Sequence, residues 1–452
     1  MQTAVETGRL RDAVHGLMPG IRADLERLVR IPSVGHKGFD LRHVRRSAEA
    51  VRELFAGLGL SARVVQVSGC EHPAVIGHRA APPGAPTVLL YAHHDVQPTG
   101  PLELWKTDPF EPVEKDGRLY GRGTSDDKCG VMMHVGALRA FDGRPPVGVA
   151  LFIEGEEESS SEHLGAYLSQ FKNELRCDLV INADGGTWRV GVPGLTTSLR
   201  GIVSCIIEVR TLDHAVHSGE YGGAIPDAIT VLARTIASLH DDRGNVAVAG
   251  RARDKADPLD LTEEQLRRDA DVRPSVKLIG EGPLTQRMWM GPAVDILGMD
   301  VPSVKDATNQ LVPSARAKVS MRLAPGDDPD QAIRALMEHL RAHVPWGAEV
   351  TITPESSGKP YRFDATGPYF DVMRRALRDA FDREPVEQGA GGSIPFVADF
   401  AREFPGAPLL LTGAGDPTSA PHSENESLDL ADLERSVLGE ALFLAYLSAS
   451  GS

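Results

Sequence analysis

The sequence predicts an α/β fold: a mostly parallel sheet, with a smaller ferredoxin-like α+β domain inserted into the chain that builds it. Three observations carry this expectation. Apolar strand-like runs alternate with helical periodicity through the first part of the chain. From about residue 198 the rhythm becomes β-α-β-β-α-β, the order of a ferredoxin-like unit. After Pro360 the α/β alternation resumes. With 452 residues the chain also exceeds one ordinary core. The expected division is residues 1–197 for the first part of the larger domain, 198–360 for the insert and 361–452 for the second part.

The elements follow in order. Helical periodicity marks 21–29 and 41–58, the latter closed by Gly57 and Gly59. Short strands are expected at 62–67 and 74–77, and a fully buried one at 87–91, after the turn Pro82-Pro83-Gly84. A helix is expected over 131–141, a buried strand over 147–153, a helix near 162–172 and a strand at 179–182. In the insert, strands are expected at 202–209, 315–323 and 349–353, with a further one somewhere within 284–299. Helices there are expected at 225–239 and 329–343, and the charged stretch 241–274 reads as surface loops with a short helix. A helix at 368–381, a strand at 408–411 and a last helix from about Asp429 complete the chain.

Composition narrows the classes of function. Apolar residues make up 41% and charged residues 25%, which describes a water-soluble globular chain. A formal charge of −15 argues against nucleic acid or an anionic membrane as the main partner. Cys70, Cys129, Cys177 and Cys205 form no Cys-x-x-Cys pair, so neither a disulfide framework nor a thiolate zinc site is expected. Residues 1–20 lack the apolar core of a signal peptide, and no run approaches a membrane span. A cytoplasmic protein is the expectation.

Chemistry-bearing residues gather where strands end. His93, the acids of Glu154–Glu158 and Asp184 each follow a predicted strand, and ligands of parallel α/β sheets collect beyond the carboxyl ends of strands. His93-x-Asp95 pairs an imidazole with a carboxylate able to orient it as a metal ligand, although His94 is an alternative. Four carboxylates within five residues after a buried strand are costly unless a cation compensates them. Asp126 and Asp127 follow a Gly-x-Gly turn and precede a helix, where an aspartate could bridge two metals or simply cap the helix. His422 adds a second imidazole late in the chain.

These segments resemble the M20 metallopeptidases, and within them the carnosinase and cytosolic non-specific dipeptidase branch. The resemblance rests on 91–98, Trp105 with Pro109-Phe110, Leu119-Tyr120-Gly121-Arg122-Gly123 leading to Asp126-Asp127-Lys128, and Glu154-Gly155-x-Glu157-Glu158-Ser159. It continues through Val216-His217-Ser218-Gly219, 391–395 and His422-Ser423-x-Asn425-Glu426, and spans residues 20 to 445. It implies a zinc-peptidase catalytic domain carrying a lid and dimerisation domain, and a homodimer. Carried over by position, it makes Asp126 the bridging ligand, with His93 and Asp184 completing one metal site and Glu158 and His422 the other. Mixed nitrogen and oxygen ligands suit zinc, with manganese or cobalt as substitutes. The Asp126–Asp127 peptide bond is implied to be cis.

The same resemblance places the general base at Glu157. It would deprotonate a metal-bridging water, whose pKa is lowered to about 7, and then protonate the leaving amine. Asp95 would orient the His93 ring, and His217 would reach into the partner's active site. Asn309, Arg322 and the Gly391-Gly392-Ser393 segment would hold the substrate, Arg322 pairing with its terminal carboxylate. The implied activity is hydrolysis of dipeptides or short peptides. The alternatives are an N-acyl amino acid deacylase on the same scaffold and, further off, a non-catalytic metal- or peptide-binding protein. Three positions depart from the branch: His94, Cys129 and Ala390, the last beside the expected substrate pocket.

Overall fold

The computed structural model describes residues 2–255 and 259–449. The chain forms two compact units. The first comprises 1–197, 363–388 and 394–452, and the second 198–362 and 389–393. The segment 389–393 therefore groups with the second unit rather than with the flanking chain. The Arg200 N–H donates to the Ala390 carbonyl, and a Cβ on Gly389 would run into Trp289.

The first unit is organised around a sheet with a parallel centre. Thr87–His93 pairs in parallel with Gly148–Glu154 on one side and Leu179–Asn182 on the other, and Leu409–Leu411 continues in parallel beside Leu179–Asn182. Arg63–Val65 and Ala74–Arg79 extend the sheet antiparallel beyond Gly148–Glu154. The strand Gly148–Glu154 is buried throughout, as the central strands are generally, which requires cover on both faces. The helix Lys128–Arg139 packs against the long helices Gln2–Val29 and Leu430–Ala449. His134 links these layers: its Nδ1 lies 2.9 Å from Glu440 Oε1 and its Nε2 3.0 Å from the Tyr91 carbonyl. The Tyr91 ring stacks on Phe396 of the helix Pro395–Glu403.

The second unit is a four-stranded antiparallel sheet in the order Ala293–Asp300, Ser314–Leu323, Gly201–Arg210, Glu349–Gly358. Two helices, Ala228–Ala237 and Pro329–Ala342, fall between these strands in the chain, which gives the ferredoxin-like order. Alternate residues of the central strand, Val203, Cys205, Ile207 and Val209, meet Val231, Leu232, Leu336 and Leu340 in one apolar core. Among the described residues no helix is long and apolar enough to cross a membrane.

Some elements lie outside the sequence expectation, and one expected only loosely is now placed. The first helix starts at Gln2 and carries Pro19 in its interior. A hairpin joins Val113–Lys115 to Arg118–Tyr120, and Ser427–Asp429 adds a third strand to it. The short helix expected within 241–274 is Glu263–Asp269, capped by the Thr262 side chain.

Candidate metal centre

Three of the parallel strands, Thr87–His93, Gly148–Glu154 and Leu179–Asn182, lead into site residues. His93 is the last residue of Thr87–His93, and its backbone N–H donates to Asp127 Oδ2 at 3.2 Å. The two adjacent histidines part here. His94 Nε2 lies 3.0 Å from the Pro73 carbonyl, and burial lowers its pKa to about 4, so it stays neutral inside the fold. His93 Nε2 instead lies 3.1 Å from Asp126 Oδ1. Its other nitrogen, Nδ1, is 3.1 Å from the Asp95 carbonyl oxygen and 3.5 Å from Asp95 Oδ1. Asp95 thus orients the ring chiefly through its backbone, while its Oδ2 accepts the Glu158 N–H at 3.0 Å.

Asp126 does not cap the helix that follows it. The N-cap position belongs to Asp127, which makes no side-chain capping bond. Asp126 instead presents Oδ1 to His93 and Oδ2 to His422 Nε2 at 3.0 Å. The Asp126–Asp127 peptide bond is cis. The loop before it depends on Gly123, with φ of +84°, where a Cβ would sit 2.6 Å from Val96.

Glu426 fastens that loop to the His422 segment. Its carboxylate accepts from the backbone N–H groups of Gly123, Ser125 and Asp126, from the Ser125 hydroxyl, and from Arg122 Nη1 at 2.7 Å. Arg122 also donates to the Ser423 carbonyl and lies over the Trp105 ring. Asn425 bonds the backbone at Lys106 and Leu104. The motif residues Trp105, Arg122, Asn425 and Glu426 therefore act as the frame of the site, a role that their motifs alone do not disclose.

Two donor groups result, sharing one aspartate. His93, Asp126 and Asp184 bring one ligand atom each within 4.8 Å of one another, and so do Asp126, Glu158 and His422. Glu158 Oε2 lies 3.3 Å from His422 Nε2 and accepts from Gln97 Nε2 at 2.6 Å. Glu157 belongs to neither group, and its Oε2 stands 4.0 Å from His93 Nε2.

The electrostatics explain what this cluster lacks. Burial pushes the carboxyls of Glu157, Glu158 and Asp184 up, and the neighbouring acids push them further. Burial also disfavours charge on Asp126, yet the His422 and His93 imidazoles hold it well below the usual carboxylate range. His422 is in turn raised to about 11, because Asp126 and Glu158 outweigh its own desolvation. Two protonated imidazoles thus supply the positive charge that the acids demand. Glu158 Oε1 and Asp95 Oδ1 remain buried without a hydrogen-bond partner. An acid-rich cluster with unsatisfied oxygens and imidazole nitrogens fits divalent cations of the zinc, manganese or cobalt type.

The remaining predicted residues lie in the second unit. Arg322, at the end of Ser314–Leu323, is partly buried, and burial lowers its pKa against the pull of Asp295. A residue that sequence reasoning missed stands near it: Arg200, whose pKa burial and Arg322 depress to about 10. Arg200 Nη2 would lie 3.3 Å from a Cβ on Gly391, and its Nε has no partner. Ser393 Oγ comes so close to Gly358 that a Cβ there would be 2.9 Å away. Asn309 is exposed, and its carbonyl accepts the Ser218 N–H. His217 is exposed too, and its Nδ1 accepts the Gly219 N–H at 3.1 Å. Nothing in the sequence around Arg200 (Leu199-Arg200-Gly201) signals a buried guanidinium.

A parallel-centred α/β sheet with two candidate metal-donor groups that share Asp126, and a further glutamate beside them, has the arrangement of a metal-dependent hydrolase. The family model for peptidase family M20/M25/M40 matches residues 89–444, and the chain belongs to that family. It is 36% identical over 379 residues to a cysteinylglycine-S-conjugate dipeptidase of Corynebacterium striatum, covering 82% of this chain and 83% of that protein. It is 26% identical over 393 residues to a Beta-Ala-His dipeptidase of Rattus norvegicus, covering 83% and 79%. Its fold is shared with the solved dipeptidase Dug1p of Saccharomyces cerevisiae, with a TM-score of 0.86, 22% identity and 98% of both chains covered.

Proposed function

We propose that this protein is a metal-dependent dipeptidase that uses Glu157 as its general base. The observation that carries the reading is Asp126, whose two oxygens face two different imidazoles while Glu157 stands 4.0 Å from His93 and belongs to neither donor group. Relatives named as dipeptidases support the substrate class.

His93, Asp126 and Asp184 would hold one divalent ion, and Asp126, Glu158 and His422 the other. Zinc is the expected metal, and manganese or cobalt would substitute. When bound, the ions polarise the scissile carbonyl and make water acidic enough to attack near neutral pH. Glu157 takes the proton of the attacking water at its carboxylate and returns it to the leaving amine. Its buried, acid-rich surroundings raise its proton affinity, which suits a group that must both accept and release a proton. The Asp95 carbonyl holds the His93 ring, and the Glu158 N–H holds the Asp95 carboxylate. Arg322, with Asn309 and 391–393, would bind the substrate's terminal carboxylate. His217 would serve the partner subunit of a homodimer, and a cytoplasmic location belongs to the same reading.

The test is turnover on dipeptides and on N-acetyl or N-succinyl amino acids, after chelation and after restoring Zn²⁺ or Mn²⁺. Metal-dependent release of amino acids from dipeptides is expected. Cleavage of the acyl amino acids alone would transfer the reading to a deacylase.

A further inference from the structure

The acidic run that supplies Glu157 and Glu158 also reaches a second cluster. Glu156, buried one residue before the base, accepts at Oε2 from the His163 N–H, and its Oε1 lies 2.8 Å from His163 Nδ1. His72 approaches the same Oε1 with Nδ1 at 3.6 Å. The other nitrogen of His72, Nε2, is 2.7 Å from the Gly35 carbonyl. A carbonyl only accepts, so Nε2 must carry a proton. In the neutral ring Nδ1 is then a lone pair facing a carboxylate oxygen. At 3.6 Å that contact is longer than a hydrogen bond, so it is His163 that engages both Glu156 oxygens.

The thiol of Cys70 completes the group. It is buried, donates to the His72 carbonyl at 3.2 Å and lies 3.8 Å from the Tyr167 hydroxyl. Cys70, Glu156 and His163 bring their ligand atoms within 4.8 Å of one another, the same spacing as in the two groups built on Asp126. The signature is also the same, an imidazole nitrogen at hydrogen-bonding distance from a carboxylate oxygen. The donors differ: this group has one acid, one imidazole and a sulfur, with His72 beside it. Gly35 connects the two regions, because its carbonyl also accepts from Ser159 Oγ and a Cβ there would press on Asp95 Oδ2.

We propose that Cys70, Glu156 and His163 form a third cation site, separate from the Asp126 groups, for a thiophilic divalent ion such as Zn²⁺. Three ligands of sulfur, nitrogen and oxygen type suit a tetrahedral ion whose fourth position is left to water. Loading breaks the Cys70 S–H bond. The proton leaves to solvent, the sulfur lone pair goes to the cation, and no electron is transferred. The ion ties the loop at 70–72 to Glu156 and so steadies the turn that presents Glu157 and Glu158. No Cys-x-x-Cys marks this site, because its ligands come from three separate segments of the chain.

The experiment uses Co²⁺ and the full chain, freed of metal by chelation. None of the residues in the Asp126 groups is a cysteine, so a thiolate-to-cobalt charge-transfer band reports this site alone and needs no substrate. The band is expected in the wild type and in Cys129→Ser, and lost in Cys70→Ser together with one equivalent of bound cobalt. His163→Ala should keep the band but require at least about tenfold more cobalt to develop it. No band in the wild type, or a band that survives Cys70→Ser, overturns the proposal. The wild-type measurement stands even if a variant fails to fold. Dipeptidase turnover tests the catalytic reading separately, whether or not the band appears.

Discussion

The donor groups around Asp126 and the group around Cys70 are fed by one short acidic run, yet they solve the burial of charge differently. Around Asp126, carboxyls crowd together, Glu158 Oε1 and Asp95 Oδ1 lack partners, and His93 and His422 are driven to carry positive charge. Around Cys70, a single acid has both oxygens occupied by His163, and the thiol already donates to a carbonyl. The first region leaves buried carboxylate oxygens without partners. The second is closed by hydrogen bonds and takes a cation only by giving up protons. Unsatisfied oxygens therefore distinguish the first region from the second.

The largest effect should come from the acid that belongs to neither. Glu157→Gln is expected to lower kcat by about 10²–10⁴-fold, the usual contribution of a general acid–base, with the metal content measured by elemental analysis unchanged. An active, metal-replete variant would remove Glu157 from the chemistry. Next comes the frame. Glu426→Ala leaves the Arg122 guanidinium buried without its carboxylate, which should cost about 3–5 kcal/mol of stability in denaturant unfolding. It should also weaken metal binding, because five donors around Asp126 lose their acceptor. Unchanged metal affinity in a folded variant would separate the frame from the site. Smaller again is Tyr91→Phe, which removes the hydroxyl that donates to Glu154 Oε2 at 2.8 Å. An acceptor left unsatisfied should cost about 1–3 kcal/mol, with little change in kcat.

Much of this is legible in the sequence where regular structure meets chemistry. His93 and Asp184 follow apolar runs long enough to read as buried strands, so their placement at strand ends is an expectation from pattern alone. The Glu154–Glu158 run is not separable, because a 3-10 turn at Glu157–Ser159 sends neighbouring acids in different directions and no periodicity encodes that. His422 lies in an irregular loop at φ of +61°, where only the family resemblance could assign it. The hairpin at 113–120 escapes the sequence pattern because its strands are three residues long, although Asp116-Gly117, both at positive φ, is a hairpin-turn signal. Pro19 hides the start of the first helix by interrupting its pattern. Arg200 leaves no sequence trace, since its burial comes from segments far apart in the chain.

The contrast between the two regions also has a pH signature. Burial raises Glu154 and Asp127 to about 7, so between the ordinary carboxylate pKa near 4 and pH 7 the folded chain holds protons that the unfolded chain has released. Stability of the metal-free protein must then fall as pH rises through that window. Glu157, Glu158 and Asp184 are raised and act in the same direction. His93 and His422, also raised, extend the loss above the unfolded histidine value of about 6.5. Lys128 works the other way above pH 7, because burial lowers it to about 7 while its amino group donates to the Leu28 and Ile31 carbonyls. Divalent cations replace the protons on the ligands, so the gain in Tm on adding Zn²⁺ to chelated protein should grow steadily from pH 5 to pH 8. A gain that is flat or shrinks over that range would mean that the Asp126 cluster is not what the cations stabilise.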